Sequence, residues 1–298
     1  MQENIDIASM KRSKMISNIM LVFGVIIGST GVVIRNNESP LIGYLIIIVG
    51  FGIAFVAGLI NRKSDTLFKE QVLIPTIRNI FPNSNFWLSV TDTRVTEAYK
   101  EVGLLNQASG EDISNYLVID TGEHRLDEFS VNAYNMTAVK GVPKKMTVFE
   151  GTQLCYDYGT KIDGIVRILS SSKGNKTFLT KQCALTPEQI YTGNLEFDEK
   201  FEVLASSQHI GFYVLNSTVI EKLNFFVEKY GEFGLAITPG EIMMSFKGQD
   251  RFIHLPKKSS DINEHMFDNA RKDLFEIVEM LNDIGNAISK HKEKEDII

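Results

Sequence analysis

The chain has 298 residues, 44% apolar and 23% charged, with 31 basic against 37 acidic side chains and a net charge of −6. That length fits one large domain or two modest ones, and the mixture is that of a folded chain rather than a disordered one. The acidic balance argues against a nucleic-acid partner, which would require a basic face.

Residues 15–34 and 41–60 are two runs of 20 residues without a charged side chain. As helices each would extend roughly 30 Å, the thickness of a bilayer's hydrocarbon core. A cleaved leader is a poor fit to the first run. It is too long for one, no A-x-A site closes it, and a second run follows after six residues, Arg35 to Pro40. Lys11, Arg12 and Lys14 precede the first span and Arg62 and Lys63 follow the second, so the positive-inside rule puts both termini in the cytoplasm. Beyond residue 60 stand 27 basic and 34 acidic residues, an acidic cytosolic part. Cys155 and Cys183 are then expected as free thiols in a reducing compartment.

Within the spans, Gly24, Gly28 and Gly31 lie on one helical face, as do Gly50, Ala54 and Gly58. Small residues so spaced let two helices approach closely inside lipid. The short connection favours packing within the hairpin over assembly of subunits. No ionisable group lies mid-span, which argues against a pore.

Ser64-Asp65 suggests the N-cap of a helix reaching Ile80, ended by Phe81-Pro82-Asn83. A mixed region follows, with a helix near Arg94 to Val102 and short strands after it. Thr147 to Tyr156 and Gly164 to Ser170 have strand character, and the second is expected to pair with Thr177 to Cys183 across the loop SSKGNK. The acidic run Leu195 to Lys200 is read as the approach to a strand at Phe201 to Ala205. As a strand it would turn Glu196, Asp198, Lys200 and Glu202 to water. Gly211 to Leu215 suggests another strand. Thr218-x-x-Glu221 is a capping box opening a helix that stops at Gly231. Phe233 to Thr238, Glu241 to Phe246 and Arg251 to Leu255 then form a meander.

From Ser260 a long amphipathic helix carries Phe267, Ala270, Leu274, Ile277, Leu281, Ile284 and Ile288 at 3-4 spacing. That is the seam of a coiled coil or of a helix docked on its own domain, and the spacing alone does not choose. Phe267, Leu274, Ile277, Leu281, Ile284 and Ile288 are therefore interface candidates.

Catalytic signals are sparse. Leu117-Val-Ile-Asp120-Thr121-Gly122 resembles an aspartic-peptidase signature, in which two aspartates share a proton. One such string would require a homodimer using Asp120 from each copy, and Glu123 adds a charge where that signature prefers Ser or Ala. The competing reading is a strand ending in a Thr-Gly turn. Ser170-x-x-Lys173 sits in an expected loop rather than at the start of a helix, so it lacks the geometry of a nucleophile motif. No nucleotide-binding loop, CxxC or paired-histidine metal spacing appears, so no cofactor, metal or small-molecule substrate is implied. Lys140, Lys144 and Lys145 cluster around Pro143 as a solvated basic loop.

Residues 197–223 resemble a bacterial membrane protein family catalogued as domain of unknown function 3137. Phe197, Lys200, Phe201, Val203, Ser207, Gln208, Tyr213, Leu215, Ile220 and Leu223 carry the likeness. Ser109-Gly110-Glu111-Asp112-Ile113, Val148-Phe149-Glu150-Gly151 and Ala236 to Phe246 fit its other segments in order, over about residues 15–256. Asn216-Ser217 departs from the family's T-P. The resemblance implies a cytosolic α+β domain on a membrane hairpin and brings no catalytic residue with it.

The fold expected is therefore α+β. A two-helix transmembrane hairpin (1–63, spans about 15–34 and 41–60) precedes a cytosolic, largely antiparallel β domain with flanking helices (64–258). A C-terminal helix and tail (259–298) completes it. The function expected is a non-enzymatic scaffold or protein-interaction module at the inner face of a bacterial plasma membrane. Its partners would be the bilayer, another protein and possible further copies of itself.

Overall fold

The computed structural model describes residues 7–37, 39–139, 142–159, 162–170, 179, 183–248 and 266–295. It divides into two compact units, one of residues 1–80 with 252–272, the other of residues 81–251 with 273–298.

In the first unit, helices α1 (Ile7–Asn37) and α2 (Pro40–Phe68) form an antiparallel hairpin. Pro40 takes the first helical position of α2, where its missing N–H costs nothing, and the Gly43 N–H closes the first turn on the Ser39 carbonyl at 3.0 Å. Both helices are long and apolar enough to cross a membrane, over Ala8–Asn36 and Pro40–Gln71. Their outward side chains remain apolar and exposed, Leu41 and Phe51 each at 72%.

Small residues hold the helices together. A Cβ on Gly24 would lie 2.8 Å from the Gly50 oxygen and the Ala54 nitrogen, and one on Gly31 would lie 2.9 Å from the Gly43 oxygen. Gly50 faces the Gly28 backbone. A Cβ at Gly28 or Gly58 would meet nothing within 4 Å. Towards the start of α1 the seam turns polar. Ser13 and Ser64 hydroxyls share a hydrogen bond of 2.8 Å, Ser17 donates to the Ala57 carbonyl at 2.8 Å, and Lys14 donates to Asn61.

Ser64 does not cap a new helix. Its hydroxyl donates back to the Ile60 carbonyl at 2.9 Å, and α2 runs past it because nothing between Leu59 and Phe68 breaks a helix. The break comes at Pro75. A π-helical turn over Lys69–Leu73 lies just ahead of it, and α3 (Ile74–Ile80) follows. Proline lacks the N–H and crowds the carbonyl four residues back, here that of Gln71, and a widened turn relieves the crowding.

The second unit is built on an antiparallel sheet, nine-stranded among the described residues. In chain order its strands are β1 (Asn85–Val90), β2 (Gly110–Asp120), β3 (Arg125–Val139), β4 (Val142–Asp157), β5 (Val166–Ser170), β6 (Glu188–Ile190), β7 (Phe201–Ala205), β8 (Phe233–Ile237) and β9 (Glu241–Lys247). Across the sheet the order is β1-β2-β3-β4-β9-β8-β5-β7-β6. β5 is paired on both edges, by β7 and β8, so the expected hairpin with 177–183 does not form. Most of that segment, and the expected strand Arg251 to Leu255, lie outside the described residues.

Both faces of the sheet are covered. On one, Phe129, Val131, Leu169, Leu204, Ala236 and Met243 pack with Tyr99, Val102, Leu104 and Leu105 from helix α4 (Arg94–Glu101) and its exit. On the other, α7 (Ser217–Tyr230) buries Val219, Leu223 and Phe226, and Phe226 lies 5.8 Å from the Phe233 ring. Asn216 caps α7 by accepting from the Val219 N–H at 3.1 Å, so the helix begins two residues before the expected capping box. Asn216-Ser217 thus supplies the cap and first helical residue without a threonine or proline.

Helix α8 (Met266–Glu295) lays its stripe on this same unit from Asp273 onward. Ile277, Leu281, Ile284 and Ile288 are buried within the chain, while the side chains of Phe267 and Leu274 lie outside those described. Tyr213 donates to the Ile288 carbonyl at 3.0 Å, and Lys222 meets Asp283 at 2.6 Å.

Two expected strand segments are helical. Leu195–Lys200 is helix α5, capped by Asn194, whose side chain accepts from the Phe197 N–H at 3.2 Å. Gln208–Val214 is helix α6, capped by Ser207 and fixed by Glu188, which accepts from the Gln208 N–H at 3.0 Å. Cap chemistry outweighed the partial alternation of the first segment and the short apolar run of the second.

Candidate functional site

The acidic run separates into distinct structural roles. Asp198 accepts from the Thr192 N–H at 3.1 Å, the Thr192 hydroxyl at 2.8 Å and the Gly193 N–H at 3.1 Å, which ties the loop before α5 to the helix's first turn. Lys200 bonds Glu196 at 2.8 Å, which raises the ammonium's pKa and lowers the carboxyl's. Phe197 and Phe201 point inward with ring centroids 4.7 Å apart. This carboxylate group is not convergent.

Asp120 ends β2 at the β2–β3 hairpin. Its carboxylate accepts from the Gly122 N–H at 2.7 Å, while the Thr121 hydroxyl donates to the His124 carbonyl at 2.9 Å. Gly122 has φ +87, which glycine adopts without strain. The D-T-G string therefore builds an exposed turn. Ser170 is buried and its hydroxyl donates to the Phe233 carbonyl at 2.8 Å, clamping the end of β5, while Lys173 lies outside the described residues.

The motif Ser109 to Ile113 serves to anchor α4. Glu111 is buried between Lys100 and the Thr96 hydroxyl, both on α4. Gly110 lets the Tyr134 ring lie over the chain, since a Cβ there would stand 2.7 Å from its hydroxyl oxygen.

A cleft of about 400 Å³ opens beside the exit of α4, lined by Lys100, Glu101, Gly103, Asn106, Gln107 and Cys183. Cys183 donates its thiol to the Glu101 carbonyl at 3.4 Å, and Lys100 is held by Glu111. Under the cleft wall lies Arg167, fully buried on β5, with Nη2 donating to the Gly103 carbonyl at 2.9 Å. Burial lowers its pKa, and Glu202 and Cys183 partly offset that. One sign of this arginine is legible along the chain, a lone charge within the apolar run Ile165 to Leu169. Gly103 has φ +69, and a Cβ there would lie 2.8 Å from Arg167 Nη2. The cleft is a polar surface on which Lys100 is already held by Glu111.

Cys155 and Cys183 are free thiols. Cys155 pairs with Asp127 across β3 and β4, and burial pushes its thiol pKa up. Next to it, Tyr116 donates to Asp127 at 2.7 Å, and Arg125 grips the same carboxylate at 2.6 and 2.8 Å. Burial first, then the bond to Asp127, raises the Tyr116 phenol to about 12. Among the described residues, no three His, Cys, Asp or Glu side chains are grouped to hold a metal ion.

No curated protein matches the chain. Among solved structures, the crystal structure of the mycobacterial trehalose monomycolate transport factor A, TtfA, is similar at 8% identity and a TM-score of 0.42. The likeness covers 72% of this chain and 92% of that one. Residues 147–290 match the model of a family described as a protein of unknown function, DUF3137. That match begins at β4 and runs into α8, further towards the C-terminus than the sequence resemblance reached, and it leaves out the apolar hairpin and the Ser109 to Ile113 motif. Residues 147–290, from within β4 into α8, are thus similar to a domain of unknown function, DUF3137.

Proposed function

We propose that the protein is a membrane-anchored interaction module, its sheet domain held at the inner face of a bacterial plasma membrane by the α1–α2 hairpin. The observation that carries the anchoring half is the hairpin. Glycines face each other in its seam while leucine and phenylalanine cover its outside, the reverse of a water-soluble helix pair. Lys11, Arg12, Lys14, Arg62 and Lys63 favour the cytoplasmic side for both ends.

The interaction half is supported by the short β6 edge. Tyr191 follows that strand, Leu195 opens α5 and Phe212 lies on α6, all exposed, with Leu195 at 80%. Aromatic side chains exposed beside a strand edge suit recognition of another protein. In vivo cross-linking of the full chain in native membranes, comparing wild type with Tyr191→Ser/Phe212→Ser, tests this. A cross-linked protein species that disappears in the variant while expression and membrane recovery persist supports the reading. An unchanged cross-linking pattern removes the β6 edge from it.

A further inference from the structure

Among the described residues, β3 and β4 outrun the rest of the sheet. β2 leaves β3 at Tyr134, and β9 leaves β4 at Gly151, yet β3 and β4 stay paired from Asn135–Met146 out to Val139–Val142. At about 3.4 Å per residue this two-stranded arm projects roughly 14 Å from Asn135 to Val139. Residues 135–148 contain no acidic side chain although the whole chain carries −6.

The arm is layered along its length. Its outermost described pairs are Val139–Val142 and Ala138–Pro143, all apolar residues. Behind them come Thr137–Lys144 and Met136–Lys145, then Asn135–Met146. Cross-strand partners share a face, so Met136 lies beside Lys145 on one face, and Lys144 and Met146 lie on the other. Met136 and Met146 are exposed at 50% and 54%. A strand pair that docks sideways on a protein is apolar on one face and polar on the other. This arm has a methionine and a lysine on each face and apolar residues towards its end, the distribution that suits end-on entry into a bilayer interface. There lysine stems lie along acyl chains while their ammonium groups reach phosphates.

From this arrangement we propose that the β3–β4 arm is a second membrane contact, separate from the hairpin, that enters the headgroup layer of an anionic bilayer. Lys144 makes no ion pair among the described residues. Lys145 bonds Asp112 at 3.1 Å and lies over the Tyr134 ring, so Asp112 is an acidic group that opposes the contact directly. The contact does not depend on the β6 edge or on any protein partner.

The test is amide hydrogen exchange on the full chain in nanodiscs of phosphatidylcholine alone and of phosphatidylcholine with phosphatidylglycerol. The arm's amides should exchange more slowly in the anionic discs, by up to about thirtyfold, the weight of two lysines near an anionic surface. Lys144→Glu/Lys145→Glu should abolish the difference, as should ionic strength of about 1 M, where the screening length is ~3 Å. Both positions are exposed, and unchanged exchange in β5, β8 and β9 verifies that the variant is folded. Equal arm exchange in the two kinds of disc overturns the proposal. So does protection that survives the charge reversal, which would indicate contact with protein.

Discussion

Gly50 sits against Gly24 backbone to backbone, close enough that a Cβ on Gly50 would stand 2.7 Å from the Gly24 carbonyl oxygen. In the proposed membrane setting apolar burial gives no drive between helices, so close packing and polar rungs supply the hairpin's cohesion. Gly50→Ala should therefore cost about 1–3 kcal/mol through overpacking. Gly58→Ala should be near neutral, since its Cβ would meet nothing within 4 Å. Thermal unfolding of both variants in the same detergent separates them. Equal effects would mean that the helices can part at this point without cost.

Gly103→Ala should destabilise the sheet domain by about 1–2 kcal/mol, because the position combines a positive φ with the Arg167 guanidinium 2.8 Å from any added Cβ. Chemical denaturation of the full chain measures it. Gly159→Ala is the control, with positive φ and open space around its Cβ. If both cost the same, backbone strain alone accounts for the loss and the contact with Arg167 contributes nothing.

Leu281→Ala should destabilise the chain by about 2–5 kcal/mol, since Leu281 is fully buried against the sheet unit. Denaturant midpoints at several protein concentrations make the reading specific. A loss independent of concentration fits a helix docked on its own domain. A loss that fades as concentration rises would assign the stripe to self-association instead.

Stability should fall in alkali as pH rises from 10.0 towards about 12, the interval between the ordinary phenol pKa and that of Tyr116. The folded chain binds the Tyr116 proton more tightly than the unfolded chain, so its contribution is fully present below pH 10.0 and is lost through the folded pKa. Cys155, whose thiol pKa burial also raises, starts a similar loss from pH 9.0 upward. Tyr116→Phe should flatten the upper part of the stability–pH curve. An identical slope in that variant would remove Tyr116 as a contributor.

Much of the architecture is legible in the sequence because hydrophobic pattern carries it. The apolar runs, the small residues at Gly24 and Gly50, the meander strands β8 and β9, and the stripe from Ile277 to Ile288 all follow from periodicity. What periodicity misleads on is short. Leu195–Lys200 alternates in part like a strand and Gly211 to Leu215 is a short apolar run, and the Asn194 and Ser207 caps, with Glu188 on the Gln208 N–H, decide otherwise. The pairing of β5 with β7 and β8 is non-local, and no local signal in 164–183 announces it. The buried Arg167 and the Lys100–Glu111 pair depend on contacts across the fold, so residue type alone gave little sign of them. The D-T-G string at Asp120 shows the converse, a motif with catalytic associations that here organises a turn.

Membrane anchoring with the sheet domain on the cytoplasmic side is the claim on which the functional reading stands. Reporter fusions in a bacterial host test it most directly, with alkaline phosphatase or a fluorescent protein joined after Ile298 and phosphatase inserted in the 35–40 connection. The expected result is a membrane-bound chain that resists alkaline extraction, a fluorescent and phosphatase-inactive C-terminal fusion, and an active phosphatase in the connection. An active phosphatase after Ile298, or recovery of the chain in the soluble fraction, would contradict it.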